Sequence, residues 1–305
     1  MSSSNLHAAS LFSVNGMVAV ITGGGTGIGL TMARTLASNG ASKIYLLGRR
    51  LQVLQNAAKE HPSIFHPIQC DVTSVSSLQS AVDTITAETG YINLLVANSG
   101  VLGPLSGWDP SNQNISEIRK NLFTQHTLDT MTQTMHVNVS GAFFSIIAFL
   151  ELLDAGNKSA IQGKGFGRPD KPGSDVPSIQ SQVIVTSSIA AYSRMAASKP
   201  AYAASKAAIL HLTKQASTNL ARYGIRANAL APGLFPSELA SGLIGSRDAG
   251  KESYDDPKFI PARKFGGDEE IAGLILYLAG RPGSYCNGSV FVADGGRLSV
   301  MLGSY

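Results

Sequence analysis

Val18-Ala19-Val20-Ile21 runs straight into Thr22-Gly23-Gly24-Gly25-Thr26-Gly27-Ile28-Gly29, and this join decides the fold. Four apolar, partly β-branched residues read as a buried strand. The glycines after them allow a tight turn. Ile28, Met32 and Leu36 then share one helical face, with Gly40 placed to end the helix. A glycine-rich turn between strand and helix brings main-chain N–H groups to the positive helix end, where a pyrophosphate can be held. The spacing is TGxxxGxG rather than GxGxxG. Such a turn carries weight because of its place between strand and helix, not by itself.

Outward from this join, strand-length apolar runs alternate with helical patterns. The runs are Ile44 to Leu47, Ile64 to Ile68, Ile92 to Val96, Val183 to Val185, Ala227 to Leu230 and Val290 to Val292. Val75, Leu78, Val82 and Ile85 follow Thr73 or Ser74, either of which can cap a helix. A long helix is predicted over about 128–153, another from about Tyr202 to Leu220 ending at Gly224, and a last one capped by Asp268. This alternation predicts an α/β fold: a doubly wound parallel sheet of Rossmann type, helices on both faces, one domain over 1–305. Residues 157–180 lack a period and read as a loop insertion, and Leu234 to Pro261 reads as a long connection. Within the long helix, His136-Val137-Asn138-Val139-Ser140-Gly141 gathers poor helix formers, which predicts a local distortion.

Only 14% of the residues are charged, against roughly 25% in an average soluble protein, so extensive buried surface is expected. The net charge is +4 with scattered basic residues, and only Arg49 and Arg50 adjoin, which argues against nucleic acid or membrane surfaces as partners. Cys70 and Cys286 make no disulfide framework, and no Cys/His cluster proposes a metal. No 18-residue apolar stretch and no signal-peptide pattern is present, so a cytoplasmic, reducing location is expected.

Several further motifs fall in order along the chain. They are Asn98-Ser99-Gly100 after the fourth strand, Ser188 after the fifth, Tyr202 and Lys206 on a helix, Pro232-Gly233 after the sixth strand and Asp294-Gly295-Gly296 after the last. Together with the glycine turn they resemble the short-chain dehydrogenase/reductase superfamily, in its single-domain NADP(H) branch. The likeness runs from Leu11 to Arg297 apart from the insertion, and is closest in look to 3-oxoacyl-carrier-protein-reductase-like and secondary-metabolite members. A Tyr four residues before a Lys is common by chance, but the i, i+4 spacing does put both on one helical face. A nearby cation would lower the phenol pKa and make Tyr202 a usable proton donor.

The resemblance implies a catalytic set of Asn138, Ser188, Tyr202 and Lys206, with Asn138 holding a relay water. Ser187 competes with Ser188, since the spacing to Tyr202 is one residue longer than the family's usual one. Cofactor contacts are implied at Gly23, Thr26, Gly27, Ile28, Gly29, Arg49, Arg50, Asp71, Val72, Asn98, Ser99, Gly100, Tyr202, Lys206, Pro232, Gly233, Phe235 and Ser237. Gly48 stands where an acidic residue would bind an NAD ribose, and Arg49 suits a 2′-phosphate instead, so NADP(H) is expected. The expected activity is reduction of a ketone or aldehyde by hydride transfer, or its reverse. The rival is a non-redox NADPH-binding protein on the same scaffold, a regulator, isomerase or cyclase. Trp108 to Phe123 are candidates for the substrate wall or for ordinary packing. Residues 234–261 are expected to form a substrate lid. Phe143, Phe144, Ile146, Ile147, Phe149 and Leu150 leave little polar face, which predicts a homodimer or homotetramer.

Overall fold

The computed structural model describes residues 6–105, 108, 114–196 and 198–303. The chain runs α1 (Ala8–Leu11), β1 (Val18–Thr22), α2 (Gly27–Ser38), β2 (Lys43–Gly48), α3 (Leu51–Ala58), β3 (Phe65–Gln69), α4 (Val75–Glu88) and β4 (Leu94–Ala97). It continues through α5 (Ile115–Gln125), α6 (Leu128–Met135), a π-helical segment (His136–Gly141), α7 (Ala142–Ala148) and α8 (Leu150–Ile161). The remainder is β5 (Gln182–Thr186), α9 (Pro200–Leu220), β6 (Arg226–Pro232), α10 (Ser241–Ile244), α11 (Asp268–Ala279) and β7 (Val290–Ala293). The seven strands form one parallel sheet in the order β3-β2-β1-β4-β5-β6-β7.

Strands buried on both faces explain the unbroken apolar runs. Ala19 and Ile21 enter one core with Ile44, Leu46, Met32, Leu36 and Ile275. Their neighbours Val18 and Val20 enter the other, with Tyr45, Leu47, Leu78, Ile85 and Ile209. Successive residues of one strand therefore feed opposite helical layers, as the two-residue pleat requires. Because β2 and β4 flank β1, the chain changes direction at β1, and a crevice opens beyond the carboxyl ends of the strands.

The long helix expected over 128–153 is broken twice. The cluster from His136 to Gly141 winds as a π-helix, the distortion its composition predicts, and Phe149 interrupts the helix again with ψ near 5°. The expected insertion begins later than residue 157. Asn157 to Ile161 complete α8 because Asn157 is buried, accepting the Ser181 N–H at 2.7 Å and donating to the Gly224 carbonyl at 2.8 Å. α9 starts at Pro200, where a missing N–H costs nothing, two residues earlier than expected. Asp268 is the first residue of α11 rather than its cap: Gly267 is the cap and donates its N–H to Glu270. Ser74 caps α4 by accepting the Ser77 N–H at 3.2 Å. Among the described residues no single helix is long and apolar enough to cross a membrane.

Candidate active site

A cavity of about 580 Å³ lies along the carboxyl ends of the strands. One wall is the glycine turn. Gly23 and Gly27 have φ of +66° and +51°, values that favour glycine. A Cβ on Gly29 would stand 2.3 Å from the Gly23 carbonyl oxygen and 2.6 Å from Asn98 Nδ2. Thr26 caps α2 without a side-chain hydrogen bond, so that capping position leaves the first helical N–H groups to another partner.

Asn98 and Ser99 hold this wall in place. Thr22 Oγ1 accepts the main-chain N–H groups of Asn98 at 3.0 Å and of Ser99 at 3.1 Å. Asn98 Nδ2 donates to the carbonyls of Thr22 at 3.1 Å and Gly23 at 3.3 Å. Thr22 was not among the expected site residues. Its signal was a lone polar residue closing an apolar strand.

The opposite wall carries the titratable groups. Lys206 is buried at the inner face of α9 and donates through Nζ to the Thr186 carbonyl at 2.8 Å. Burial pushes its pKa down to about 8. Nζ lies 5.6 Å from the Tyr202 ring centroid. Burial pushes the Tyr202 phenol up, opposed by its hydrogen bond with Ser188, so the lowering expected from the lysine is not the dominant influence here. The physical reason is that both groups are withdrawn from water. Gly100 makes room for Lys206 and Asn138: a Cβ there would meet Asn138 Oδ1 at 3.2 Å and Lys206 Nζ at 3.4 Å.

Ser187 and Ser188 are separated by their partners. Ser187 is buried and donates its hydroxyl to the Lys206 carbonyl at 2.8 Å. Ser188 is half-buried and lines the cavity, accepting the Ala190 N–H at 3.1 Å. Asn138 lies behind the lining. Its Oδ1 accepts the Val101 N–H at 2.8 Å, and its Nδ2 donates to the Val101 carbonyl and to Ser205 Oγ, each at 2.9 Å. Ser205 in turn donates to the Tyr202 carbonyl at 2.7 Å. Val101 and Ser205 were not singled out in the sequence: Val101 takes part only through its main chain, and Ser205 is one helix serine whose partner Asn138 lies 67 residues away.

Of the other expected contacts, Ile28, Val72, Pro232, Gly233, Phe235 and Ser237 line the cavity, whereas Gly29 lies behind it. Gly233 packs on the last turn, where a Cβ would be 2.7 Å from Asp294 Cα. Asp294 fastens that turn by accepting the N–H groups of Gly296 and Leu298 at 2.9 and 2.7 Å. Asp71 lines the cavity, and bonds from the Thr73 hydroxyl and N–H hold its carboxyl below the usual range. Arg49 is exposed at the end of β2. Arg50 pairs with Glu238 at 2.7 Å, a partner the sequence did not suggest. Trp108 is 56% exposed, and residues 109–113 of the stretch considered for the substrate wall lie outside the described residues.

Residues 17–162 match the short chain dehydrogenase family model, and 174–297 match the model described as enoyl-(acyl carrier protein) reductase. A short-chain dehydrogenase/reductase of Stachybotrys chartarum, SAT3, is 58% identical over 274 residues, covering 90% of this chain and 100% of its own. The chain belongs to the short-chain dehydrogenase/reductase family. Another of its members, PhomF of Diaporthe leptostromiformis, is 46% identical over 304 residues, covering 99% of this chain and 98% of its own. The crystal structure of a gluconate 5-dehydrogenase from Burkholderia cenocepacia with NADP and tartrate superposes with a TM-score of 0.72 at 27% identity. It covers 96% of this chain and 99% of that one. This short-chain dehydrogenase/reductase is therefore an oxidoreductase of a family that works with a nicotinamide cofactor.

Proposed function

We propose that this chain reduces a ketone or aldehyde to an alcohol with NADPH, or runs the reverse oxidation. The observation that carries the reading is that Ser188, Tyr202 and Lys206 line the same cavity as the glycine turn. The residues fit a dinucleotide: Gly23, Gly25 and Gly27 put main chain without side chains on the cavity wall, and the Thr26 side chain leaves the N-terminus of α2 uncapped. When bound, NADPH supplies a hydride.

The chain's own residues would manage the oxygen. Tyr202, its phenol kept protonated by burial, donates the proton to the carbonyl oxygen. Ser188 orients that oxygen by hydrogen bonding. The Lys206 ammonium favours the phenolate left behind, since a cation within about 6 Å stabilises a developing negative charge. Asn138 fixes the main chain at Val101 and, through Ser205, the main chain at Tyr202, and the π-helical turn around it is where we place the relay water.

Arg49, exposed and lining the same cavity as Thr26, can meet a 2′-phosphate, and this supports NADP(H) over NAD(H). The likeness to secondary-metabolite members supports a ketone on an acyl chain, polyketide or aromatic ring. Phe143, Phe144 and Ile147 stay exposed on α7 while Ile146 and Phe149 are buried, which supports a homodimer or homotetramer. Two free cysteines support a reducing, cytoplasmic location.

The test is a panel of ketones and aldehydes followed by loss of reduced-nicotinamide absorbance, with NADPH and NADH in parallel and alcohol products assayed. Consumption of NADPH matched by alcohol is expected. Binding of NADPH with no consumption across the panel would favour a non-redox role.

A further inference from the structure

The loop after β2 and the segment after β6 meet across the mouth of the cavity through a single ion pair. Arg50 Nη2 donates to Glu238 Oε2 at 2.7 Å, and Nη1 reaches Oε1 at 3.5 Å. Both side chains are about 60% exposed, and both line the cavity beside Arg49. Among the described residues Arg49 enters no ion pair. Glu238 adjoins Ser237, whose Cβ would stand 3.0 Å from a Cβ placed on Gly27, so the segment that carries Glu238 packs against the glycine turn.

We propose that Glu238 sets cofactor discrimination in this site, as the intramolecular rival of a 2′-phosphate for Arg50. The inference rests on the NADP(H) reading above. A phosphate and a carboxylate compete for the same planar fork of guanidinium donors, and both cannot be held bidentately at once. Glu238 therefore does two things to a phosphorylated ribose. It occupies Arg50, and it places a like charge beside the incoming dianion. An unphosphorylated ribose has nothing to draw Arg50 away, so the pair stays closed over it. The exposure of the pair keeps the competition weak enough for a phosphate to win, and makes it sensitive to salt.

The experiment uses the full chain, with 2′,5′-ADP and 5′-AMP as probes in isothermal titration at low ionic strength. Glu238→Gln is conservative and lies at the surface. It is expected to tighten 2′,5′-ADP about two- to five-fold, the range of an exposed ion pair, and to leave 5′-AMP unchanged. The gain should shrink at high salt, and in the Arg50→Gln background it should fall to the smaller part that comes from like-charge repulsion alone. Equal changes for both probes, or no change for 2′,5′-ADP, would overturn the role of Glu238 while leaving the cofactor reading intact. Failure of the wild-type chain to bind either probe would remove the cofactor reading and this inference together.

Discussion

The Lys206 ammonium donates to the Thr186 main-chain carbonyl at 2.8 Å from a site almost sealed from water. One neutral acceptor does not repay the desolvation of a charge, which is why the lysine pKa falls to about 8. The unfolded chain keeps this group protonated up to its ordinary value of about 10.4. Between those two pH values the unfolded state binds more protons, so stability rises with pH. From pH 7.5 to 9.5 the chain should gain about 2 kcal/mol from this group relative to Lys206→Met. Urea unfolding of both proteins at the two pH values checks it; parallel curves would show that Lys206 titrates normally.

The two serines after β5 should fail in different ways. Ser187→Ala removes a buried donor to the Lys206 carbonyl and should cost about 1 kcal/mol of stability. Its turnover should change little. Ser188→Ala should lower kcat by about ten-fold or more, because its hydroxyl bonds the Tyr202 phenol, and should cost about 1 kcal/mol of stability through the lost acceptor of the Ala190 N–H. Kinetics separates the two, and paired thermal melts check the stability costs. A larger kinetic loss for Ser187→Ala would move the role one residue back.

Much of this was legible from the sequence because the signals were local. Val18 to Ile21 announce a central strand by being apolar at every position, and the structure buries all four. Asn138 and its neighbours announce a distortion through poor helix propensity alone. What was hidden depends on distant partners. Arg50 and Glu238 are 188 residues apart, and nothing in either neighbourhood names the other. Asn157 looks like loop because its neighbours are polar, yet it is buried between the Ser181 and Gly224 backbones. Adjacent serines at a strand end do not show which hydroxyl turns to the Lys206 carbonyl and which to the Tyr202 phenol, a difference that only the fold displays.

The expected lid divides into two parts with different anchorage. Residues 247–261 are tied down by the Arg247–Glu252 pair at 2.7 Å, with side chains only 16% and 9% exposed. Arg263 adds bonds to the carbonyls of Glu252 and Gly250, and Arg297 to those of Phe259 and Pro257. By contrast a Cβ at Gly242 or Gly245 would meet nothing within 4 Å. Hydrogen exchange should therefore show protection gained on NADPH binding in 237–246 and little change in 247–261. Equal gains in both parts would mean that the arginine bonds do not hold the far half.

The apolar face of α7 gives a test of assembly. Phe144 and Ile147 are each 45% exposed, and Phe143, 38% exposed, meets Phe144 edge-on. Phe144→Glu places a charge on that face, and sedimentation should show it shifting toward monomer while the wild-type chain stays associated at micromolar concentration. A wild-type monomer under those conditions would contradict the assembly.

The central claim is that Tyr202 delivers the proton in a site that binds NADPH independently of it. Its most direct test is Tyr202→Phe, titrated with NADPH and assayed for ketone reduction on the same preparation. The account predicts an NADPH Kd within about two-fold of wild type and a rate lower by about 10²-fold or more, the usual scale of a positioned acid. A variant that binds NADPH normally and keeps more than about a tenth of the wild-type rate would contradict it.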